Sequence, residues 1–315
     1  MEDKKHFEIK LWKKVFHLLQ DNESVISYDG LLYHYTTPTG LLGILQNQNI
    51  WATEASFLND LYEIQYGHDM TKEVLNSYLK NESLYIKNFS QLTLYYLHLM
   101  NSKEEEIYIT SFCETSDLLS QWKGYTNFGE GYAVGLNLKK LINTKDNEEF
   151  SHVWIKKVIY DKKTQYKMVK SKINHMIKQS KKMIDKENIT ENIIKENIIK
   201  ACAKSLAYHL NAQSKRFKSS AFSEEKEWRA IYINSTIANE QRIKNKFRMA
   251  DSTITPYIEL NLCKNTTNKP HHLPINKIVV GPKINFKKAT KSINFAYKNI
   301  AIKVPKIKES RISLQ

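Results

Sequence analysis

The stretch SEEKEWRAIY, residues 223–232, decides the fold. Trp, Ile and Tyr favour a pleated, half-buried surface, so this stretch is predicted to be a β-strand. Side chains on a strand alternate between its two faces. We therefore expect Glu225, Glu227 and Arg229 on one face and Trp228 on the other.

This row of two carboxylates and one guanidinium has two interpretations. If the strand is internal, the charges must pair with one another or line a cleft, because an isolated buried charge is very costly. If the strand faces solvent, the same row is an ordinary surface ion-pair row. The stretch alone leaves both interpretations open.

The composition of the 315-residue chain indicates a globular protein with a substantial core, since 41% of the residues are hydrophobic. The mean hydropathy is -0.53, and no apolar run approaches the ~20 residues of a membrane-spanning helix. The opening residues MEDKK lead into a sequence without the apolar segment of a signal peptide. Three widely spaced cysteines, Cys113, Cys202 and Cys263, argue against a disulfide scaffold or a thiolate zinc site. We therefore expect a cytoplasmic protein with no membrane partner.

The net charge of +15 suggests a nucleic-acid partner. However, Lys far outnumbers Arg, and Asn and Ile are abundant, which is the composition that an AT-rich genome produces without selection for a ligand. Specific phosphate and base contacts depend more on the planar fork of Arg. The basic residues are also spread along the chain, so nucleic-acid binding is only a secondary hypothesis.

Short strands and helices alternate along the rest of the chain. Runs of β-branched and aromatic residues predict strands at 31–36, 50–53, 107–113, 132–138, 154–160, 225–233, 256–262 and 275–281, with a last short strand within 299–307. Helical spacing of apolar residues predicts helices at 5–20, 41–46, 118–125 and over most of 62–105. Expected helix N-caps are Thr37 or Thr39, and Asn59 or Asp60.

The predicted fold class is α+β, with a mixed, mostly antiparallel β core decorated by helical insertions. Since no internal repeat and no Pro- or Gly-rich linker interrupts the chain, residues 1–315 are predicted to form a single domain. Its predicted parts are an N-terminal helix within 1–30, a helical insertion at 62–105, a Lys-rich insertion of two or three helices at 163–214 and a frayed tail at 308–315.

Several common catalytic motifs are missing from the sequence. There is no nucleophile elbow, no Gly-x-Gly-x-x-Gly and no Walker loop. The histidines lack the paired spacing of metal ligands, so no metal site is predicted. Glu225 and Lys226 offer one half of a metal-dependent nuclease motif, but no Asp on a preceding strand supplies the other half.

Six groups of motifs, in the expected order, resemble the bacterial family catalogued as domain of unknown function 2971. They are LYHYT (32–36); IW with FLNDLYE (50–63); TSFCE, QWKGY and GYAVG (110–135); Lys218 ahead of Phe222; EKEWR (225–229); and VVGP (279–282). The match covers most of residues 31–282 outside the helical insertions. It departs from the family at Leu61, where Pro is frequent, and at Glu224, where an aromatic residue is usual.

The first-strand His-Tyr-Thr and the late Glu are also similar to the pattern of ADP-ribosyltransferase folds. The resemblance implies that His34 is a catalytic residue, that His34 and Thr36 bind the nicotinamide ribose of NAD, and that Tyr35 is a further cofactor-binding residue. It further implies that Trp122 or Tyr125 stacks on the nicotinamide ring, which an aromatic side chain would hold flat.

The same resemblance implies roles for the charged residues. Glu227 would be the catalytic carboxylate, because breaking the N-glycosidic bond of NAD leaves positive charge on the ribose, which a nearby carboxylate stabilises. Glu225 would orient the acceptor, and the choice of catalytic group between the two glutamates stays open. Arg229 and Lys218 would pair with the pyrophosphate, and Ser111 would join them as a cofactor-binding residue.

We therefore expect an NAD-dependent, ADP-ribosyltransferase-like enzyme, acting as a transferase or an NAD glycohydrolase with NAD as its substrate. A role as a bacterial toxin or a phage-defence effector follows from the resemblance alone. The acceptor stays open among protein, nucleic acid and water, as does the presence of a regulatory partner. Two alternatives remain: a nucleic-acid-binding or sensor module without catalysis, and a metal-dependent nuclease.

Overall fold

The computed structural model describes residues 10–19, 28–58, 61–102, 106–138, 153–186, 192–234, 243–250, 252–260, 262 and 272–314. Within these ranges the strands are β1 Leu32–Thr36, β2 Ile50–Glu54, β3 Glu106–Cys113, β4 Tyr132–Leu136, β5 Val153–Lys157, β6 Glu227–Asn234, β7 Lys246–Ala250, β8 Thr253–Leu260, β9 Ile275–Val280 and β10 Lys306–Glu309. They form one sheet, in which eight strands follow the order β10-β9-β4-β1-β3-β2-β8-β7. The other two strands branch from β3, because β6 pairs with β3 and β5 pairs with β6. Every pair is antiparallel except β10 with β9.

Two strands share one edge of β3, and this sharing creates a fork in the sheet. β2 pairs with β3 at Tyr108 and Ile109, whereas β1 pairs with it through Tyr33 and Cys113. On its other edge, β3 pairs with β6 over its full length. Because β1 and β2 continue to different neighbours, β4 and β8, they diverge beside the middle of β3.

The described helices are α1 at 10–16, α2 Pro38–Asn47, α3 Leu61–Tyr78, α4 Leu84–Ser102, α5 Leu119–Tyr125, α6 Lys162–Lys186, α7 Asn192–Ser214 and α8 Phe286–Asn299. α2 begins after Thr37, whose hydroxyl accepts a hydrogen bond from the amide of Gly40 at 3.2 Å, and Pro38 occupies the first turn, where its missing N–H costs nothing. The predicted caps Asn59 and Asp60 lie outside the described residues. No described helix combines the length and the apolar character that crossing a membrane requires.

Apolar side chains pack on both faces of the sheet. On one face, α1, α3, α4, α6 and α7 cover alternate residues of β3 and β6, including Ile109 and Ile231. On the other face, α2 and α8 cover the intervening residues, including Phe112 and Trp228. A third, smaller cluster surrounds the buried Trp122 of α5.

The coarse prediction is confirmed, because the protein is α+β with a mostly antiparallel sheet and several helices. The segment 62–105 forms α3 and α4, and the segment 163–214 forms two helices, α6 and α7. The sequence analysis did not predict β7 or α8.

The strand predicted from residue 225 instead begins at Glu227. Glu225 is the last residue of a 3-10 turn, Ser220–Glu225, and Lys226 follows it in the left-handed conformation with φ 44°. The 3-10 turn and the left-handed residue interrupt the extended backbone before Glu227, so strand alternation does not determine where the Glu225 side chain points. Placing Glu225 on the strand face of Glu227 and Arg229 was therefore wrong.

The frayed tail expected at 308–315 is not observed over residues 308–314. β10 adds a parallel strand to β9. Beyond it, the Ser310 hydroxyl and the Arg311 amide donate hydrogen bonds to the Asp117 carboxylate at 2.6 and 2.7 Å. Ile312 and Leu314 then pack on the cluster around Trp122. Strand pairing at the sheet edge and hydrogen bonds to the Asp117 carboxylate therefore fix the tail in place, because they give its polar groups partners.

Candidate functional site

The charged residues of β6 lie on the helix-covered face of the sheet. Glu227 is opposite Cys113, and Arg229 is opposite Ser111. Glu227 and Arg229 point to the same face of β6 as Ile231, which the helices cover. The two charged side chains therefore lie on this face at the N-terminal end of β6. This position is internal, which excludes the surface ion-pair row for this part of β6.

Glu227 is held by two cations. Arg229 donates from Nε to Oε1 at 2.7 Å and from Nη2 to Oε2 at 3.1 Å, which is a two-point, charge-assisted contact. Lys218 Nζ lies 3.3 Å from Oε2 of Glu227 and 2.5 Å from Oε2 of Glu225. These four side chains, Lys218, Glu225, Glu227 and Arg229, form the unit that we call the charge network.

The segment that follows α7 positions the two cations. The amide of Lys218 donates to the carbonyl of Ile159 at 3.2 Å, and Gln165 of α6 donates to the carbonyl oxygens of Ile159 and Lys218 at 2.6 and 3.0 Å. Arg229 Nη1 donates to the carbonyl of Lys215 at 2.8 Å. The chain between α7 and β6 therefore folds back over the end of β6 and brings Lys218 onto the glutamates.

Burial makes the charge balance of the network important. Lys218 is 1% exposed and Glu227 is 4% exposed, and the network contains two positive and two negative side chains. Burial alone would raise the pKa of Glu227, but the charges of Arg229 and Lys218 outweigh it, with hydrogen bonds from Arg229 and Ser111. The pKa of Glu227 is therefore below its ordinary value, and the carboxylate is ionised at neutral pH.

The predicted pyrophosphate residues Lys218 and Arg229 are both engaged within the protein. The two glutamates bind Lys218, and Glu227 together with the Lys215 carbonyl binds Arg229. Glu225, although not on the strand, is brought to the network by the 3-10 turn.

Ser111 lies between the histidine and the glutamate predicted to act together. Its hydroxyl helps to lower the pKa of Glu227, while its carbonyl oxygen accepts a hydrogen bond from Nδ1 of His34 at 3.0 Å. The His34 ring lies 5.9 Å from the ring of Phe112, which belongs to the other face of β3. The register likewise places the side chains of His34 and Glu227 on opposite faces of the sheet.

The electrostatic environment of His34 favours the neutral imidazole. Burial lowers the pKa of His34, the hydrogen bond to the Ser111 carbonyl opposes this, and the positive charge of Arg248 lowers it further. The neutral form is therefore favoured, with Nδ1 as the donor to Ser111.

The aromatic candidates differ in accessibility. Trp122 has no exposed surface, donates from Nε1 to Asp117 at 2.7 Å and packs edge-on against Tyr35 at 4.9 Å between ring centroids. Tyr35 is also buried and donates from its hydroxyl to the Thr115 carbonyl at 2.9 Å. Tyr125 is 38% exposed, so of the two predicted stacking residues it is the one whose ring is open to a ligand.

Thr36 is buried beneath the start of α2, where a Cβ at Gly40 would overlap its hydroxyl oxygen. The structure brings together Ser111, Lys218, Glu225, Glu227 and Arg229, and links His34 to them through Ser111. It places Tyr35 and Trp122 in a separate apolar cluster.

Two neighbours of Glu227 were not predicted from the sequence. The Tyr160 hydroxyl accepts a hydrogen bond from the amide of Glu227 at 3.0 Å, and Cys113 lies across the β3–β6 ladder from it. Burial raises the pKa of the Cys113 thiol to about 11, so it is not a thiolate nucleophile at neutral pH. Cys113 lies within the TSFCE motif, but only the β3–β6 register places it opposite Glu227, and Tyr160 reaches the Glu227 amide through its hydroxyl from beyond the end of β5.

A search of the described residues for a metal centre finds no group of three His, Cys, Asp or Glu side chains with suitable placement. Within this part of the chain, the chemistry that the network offers is that of an oriented, ionised carboxylate next to cations.

These features define a class: an α+β protein with a forked antiparallel sheet and a buried Lys–Glu–Glu–Arg network at one end of β6. A family model described as "Protein of unknown function (DUF2971)" matches residues 121–230. The resemblance to this family is therefore confirmed over a span that contains the whole charge network. No curated protein and no solved structure matches the chain.

Proposed function

We propose that this protein binds NAD and cleaves the bond between nicotinamide and ribose, as an ADP-ribosyltransferase or an NAD glycohydrolase. The observation that carries the proposal is the buried Glu227 carboxylate of β6, which Arg229 and Lys218 hold ionised and oriented. The strands β1 with His34 and β6 with Glu227 flank β3, which is the strand placement that the resemblance to ADP-ribosyltransferase folds implies, although the register puts the two side chains on opposite faces of the sheet.

The reaction proposed for Glu227 is a substitution at the anomeric carbon of the ribose. The bond from this carbon to the nicotinamide nitrogen breaks, and its electron pair leaves with nicotinamide. The ribose becomes positively charged until a lone pair of the acceptor, or of water, forms the new bond and the acceptor loses its proton. Glu227 would stabilise the positive charge, and Arg229 and Lys218 would keep it ionised and oriented beforehand.

Access to Glu227 requires a local movement, since the carboxylate is nearly buried. The 3-10 turn Ser220–Glu225 covers the network, and the half-exposed ring of Phe222 lies 4.6 Å from Lys218 Nζ. In the proposal this turn opens when NAD binds. Roles as a toxin or a phage-defence effector belong to the same proposal and depend on the family resemblance.

The test compares nicotinamide release from millimolar NAD, without added metal, by wild type, Glu227→Gln and Glu196→Gln. Glu196 is an exposed helix residue paired with Lys200, so the control makes the same chemical change at the surface. We expect Glu227→Gln to lose about 100-fold or more in rate, the size typical of a lost electrostatic group in catalysis. Glu196→Gln should release nicotinamide like wild type.

Thermal unfolding of each variant, with and without NAD, separates loss of chemistry from loss of fold, because a ligand of the folded state raises stability by mass action. If Glu227→Gln does not fold, Ser111→Ala, which removes a hydroxyl that helps to lower the pKa of Glu227, should still lower the rate. A folded Glu227→Gln with the wild-type rate contradicts the catalytic assignment. If wild type shows neither stabilisation nor release, NAD is not the substrate, and nucleic acid with and without Mg²⁺ is titrated next.

A further inference from the structure

Arg248 of β7 lies between two aromatic rings beside the fork in the sheet. Its guanidinium carbon is 5.4 Å from the ring centroid of Trp51 and 5.8 Å from that of Tyr257. Its Nη2 donates to the Thr53 hydroxyl at 2.8 Å. Two cation–π contacts and one hydrogen bond hold the planar group in a defined orientation.

Two hydrogen-bond donors at this place have no acceptor among the residues that the structure describes. Arg248 Nε and Trp51 Nε1 are both buried, and neither has a hydrogen-bond partner among the described residues. Buried donors are almost always satisfied, because leaving one unpaired costs its full desolvation energy. Two unpaired N–H groups around one guanidinium therefore call for an acceptor that the described residues do not supply, and the cation favours an anion.

The arrangement is built into the fold. Trp51 and Thr53 are on β2, Tyr257 is on β8 and Arg248 is on β7, so three neighbouring strands contribute. The Trp51 ring lies against α2, where a Cβ at Gly43 would come 2.5 Å from ring atom Cζ2. The glycine thus lets the indole lie close against the helix that follows β1.

This site is close to the candidate functional site. β1, which carries His34, and β2, which carries Trp51, form the two sides of the fork. The charge of Arg248 acts on His34, where it adds to the effect of burial in lowering the pKa of the imidazole. By contrast, the guanidinium of Arg229 and the ammonium of Lys218 are already neutralised by glutamates.

We propose that Arg248 and the indole N–H of Trp51 bind the phosphate oxygens of a nucleotide in the fork beside His34. The guanidinium offers two donors in one plane, which suits phosphate, and the indole adds a third from the side. The inference deepens the proposed function, on which it rests for identifying the phosphates as the pyrophosphate of NAD. The anion site itself depends only on the unpaired donors and the guanidinium charge.

The experiment is calorimetric titration of ADP, and of adenosine as the ligand without phosphate, into four proteins: wild type, Arg248→Gln, Trp51→Phe and Arg311→Gln. Arg311 is exposed, so its variant removes the same charge at the surface. We expect ADP to bind wild type and Arg311→Gln alike, and adenosine to bind much more weakly. Arg248→Gln should weaken ADP binding about tenfold or more, as loss of a charge-assisted contact predicts.

Trp51→Phe keeps an aromatic ring and removes only the N–H, so a loss of several-fold in ADP affinity is expected. If Arg248→Gln fails to fold, the ADP affinity of Trp51→Phe tests the proposal, and an affinity equal to that of wild type contradicts it. The proposal is overturned if ADP does not bind wild type, or if Arg248→Gln and Arg311→Gln bind it equally well.

Nicotinamide release, measured on the same four proteins, separates this inference from the proposed function. Lost ADP binding in Arg248→Gln, with no release by wild type, refutes NAD cleavage and supports the phosphate site. Release by wild type, with an unchanged KM for NAD in Arg248→Gln, supports NAD cleavage and refutes the phosphate site.

Discussion

Glu227 is a buried carboxylate of β6 that two cations contact. Two cations compensate the cost of burying its carboxylate, and each is itself compensated by an oxygen atom of the protein. Removing one member of such a buried network leaves the others uncompensated, which typically costs about 3–5 kcal/mol. The same contacts that prepare the carboxylate for chemistry therefore also contribute to stability.

The lowered pKa of Glu227 predicts an acid-sensitive contribution to stability. A carboxylate whose folded pKa is depressed contributes stability above its unfolded pKa, near 4.5, and this contribution is lost as the pH falls through the folded pKa. Glu227→Gln should therefore destabilise the protein at about pH 7, and its difference from wild type should shrink as the pH falls below the unfolded pKa toward the folded pKa.

The measurement is the free energy of unfolding in urea, followed against pH for wild type, Glu227→Gln and the surface control Glu196→Gln. The control should follow the wild-type curve, because its ion pair is exposed. A constant difference between wild type and Glu227→Gln across this pH range would show that the charge of Glu227 adds nothing to folding.

At the level of elements, the contact of α3 with the end of α7 positions the charge network. A Cβ at Gly67 would overlap the carbonyl oxygen of Ser214, the last residue of α7. The chain continues directly from there to Lys215 and Lys218. Close approach of the two helices thus sets where the segment that carries the lysines can lie.

Gly67→Ala is expected to destabilise the protein by about 1–3 kcal/mol, the usual cost of overpacking against atoms that cannot move aside. The matched control is Gly124→Ala in α5, where an added Cβ meets nothing within 4 Å. It should be neutral or stabilise by up to about 1 kcal/mol, because Ala favours helix more than Gly does. Thermal unfolding of both variants is the measurement, and equal effects would contradict the close contact at Gly67.

The elements themselves were largely predictable, and their ends were not. β3, β4, β6 and β9 were found from runs of β-branched and aromatic residues, since such runs are local. β7 was missed because Lys246–Ala250 has charged and apolar residues that match a loop equally well, and the pairing of this segment with β8 makes it a strand. α8 was missed because its buried residues, Ala289, Ile293 and Tyr297, are few among lysines.

At the level of the whole molecule, the Lys-rich segment is a part of the core. Val169 and Ile173 of α6 and Leu206 and Leu210 of α7 are completely buried and belong to the cluster that covers β3 and β6. The lysines of these helices lie mainly on their outer sides. The segment was predicted as a decoration, but it covers one face of the sheet.

Deleting residues 162–214 should therefore abolish cooperative unfolding, because a large apolar face of β3 and β6 would be exposed. The control is a triple variant of exposed lysines, Lys170→Gln, Lys178→Gln and Lys182→Gln, which keeps the core and should melt within a few degrees of wild type, about the effect of neutral surface changes. Circular dichroism against temperature measures both. A deletion variant that melts like wild type would show that the segment is dispensable for folding.

The sequence by itself determined the local features of this protein. Residue alternation placed Glu227 and Arg229 on one face of a strand, and apolar spacing identified most helices, because both depend only on neighbouring residues. Only the tertiary structure decided that Trp122 is inaccessible, that Lys218 is neutralised by two glutamates and that Arg248 lies over Trp51. These contacts depend on which strands pair and how helices pack over them. Pairing and packing are set by segments that lie far apart in the chain, where local propensity carries no information.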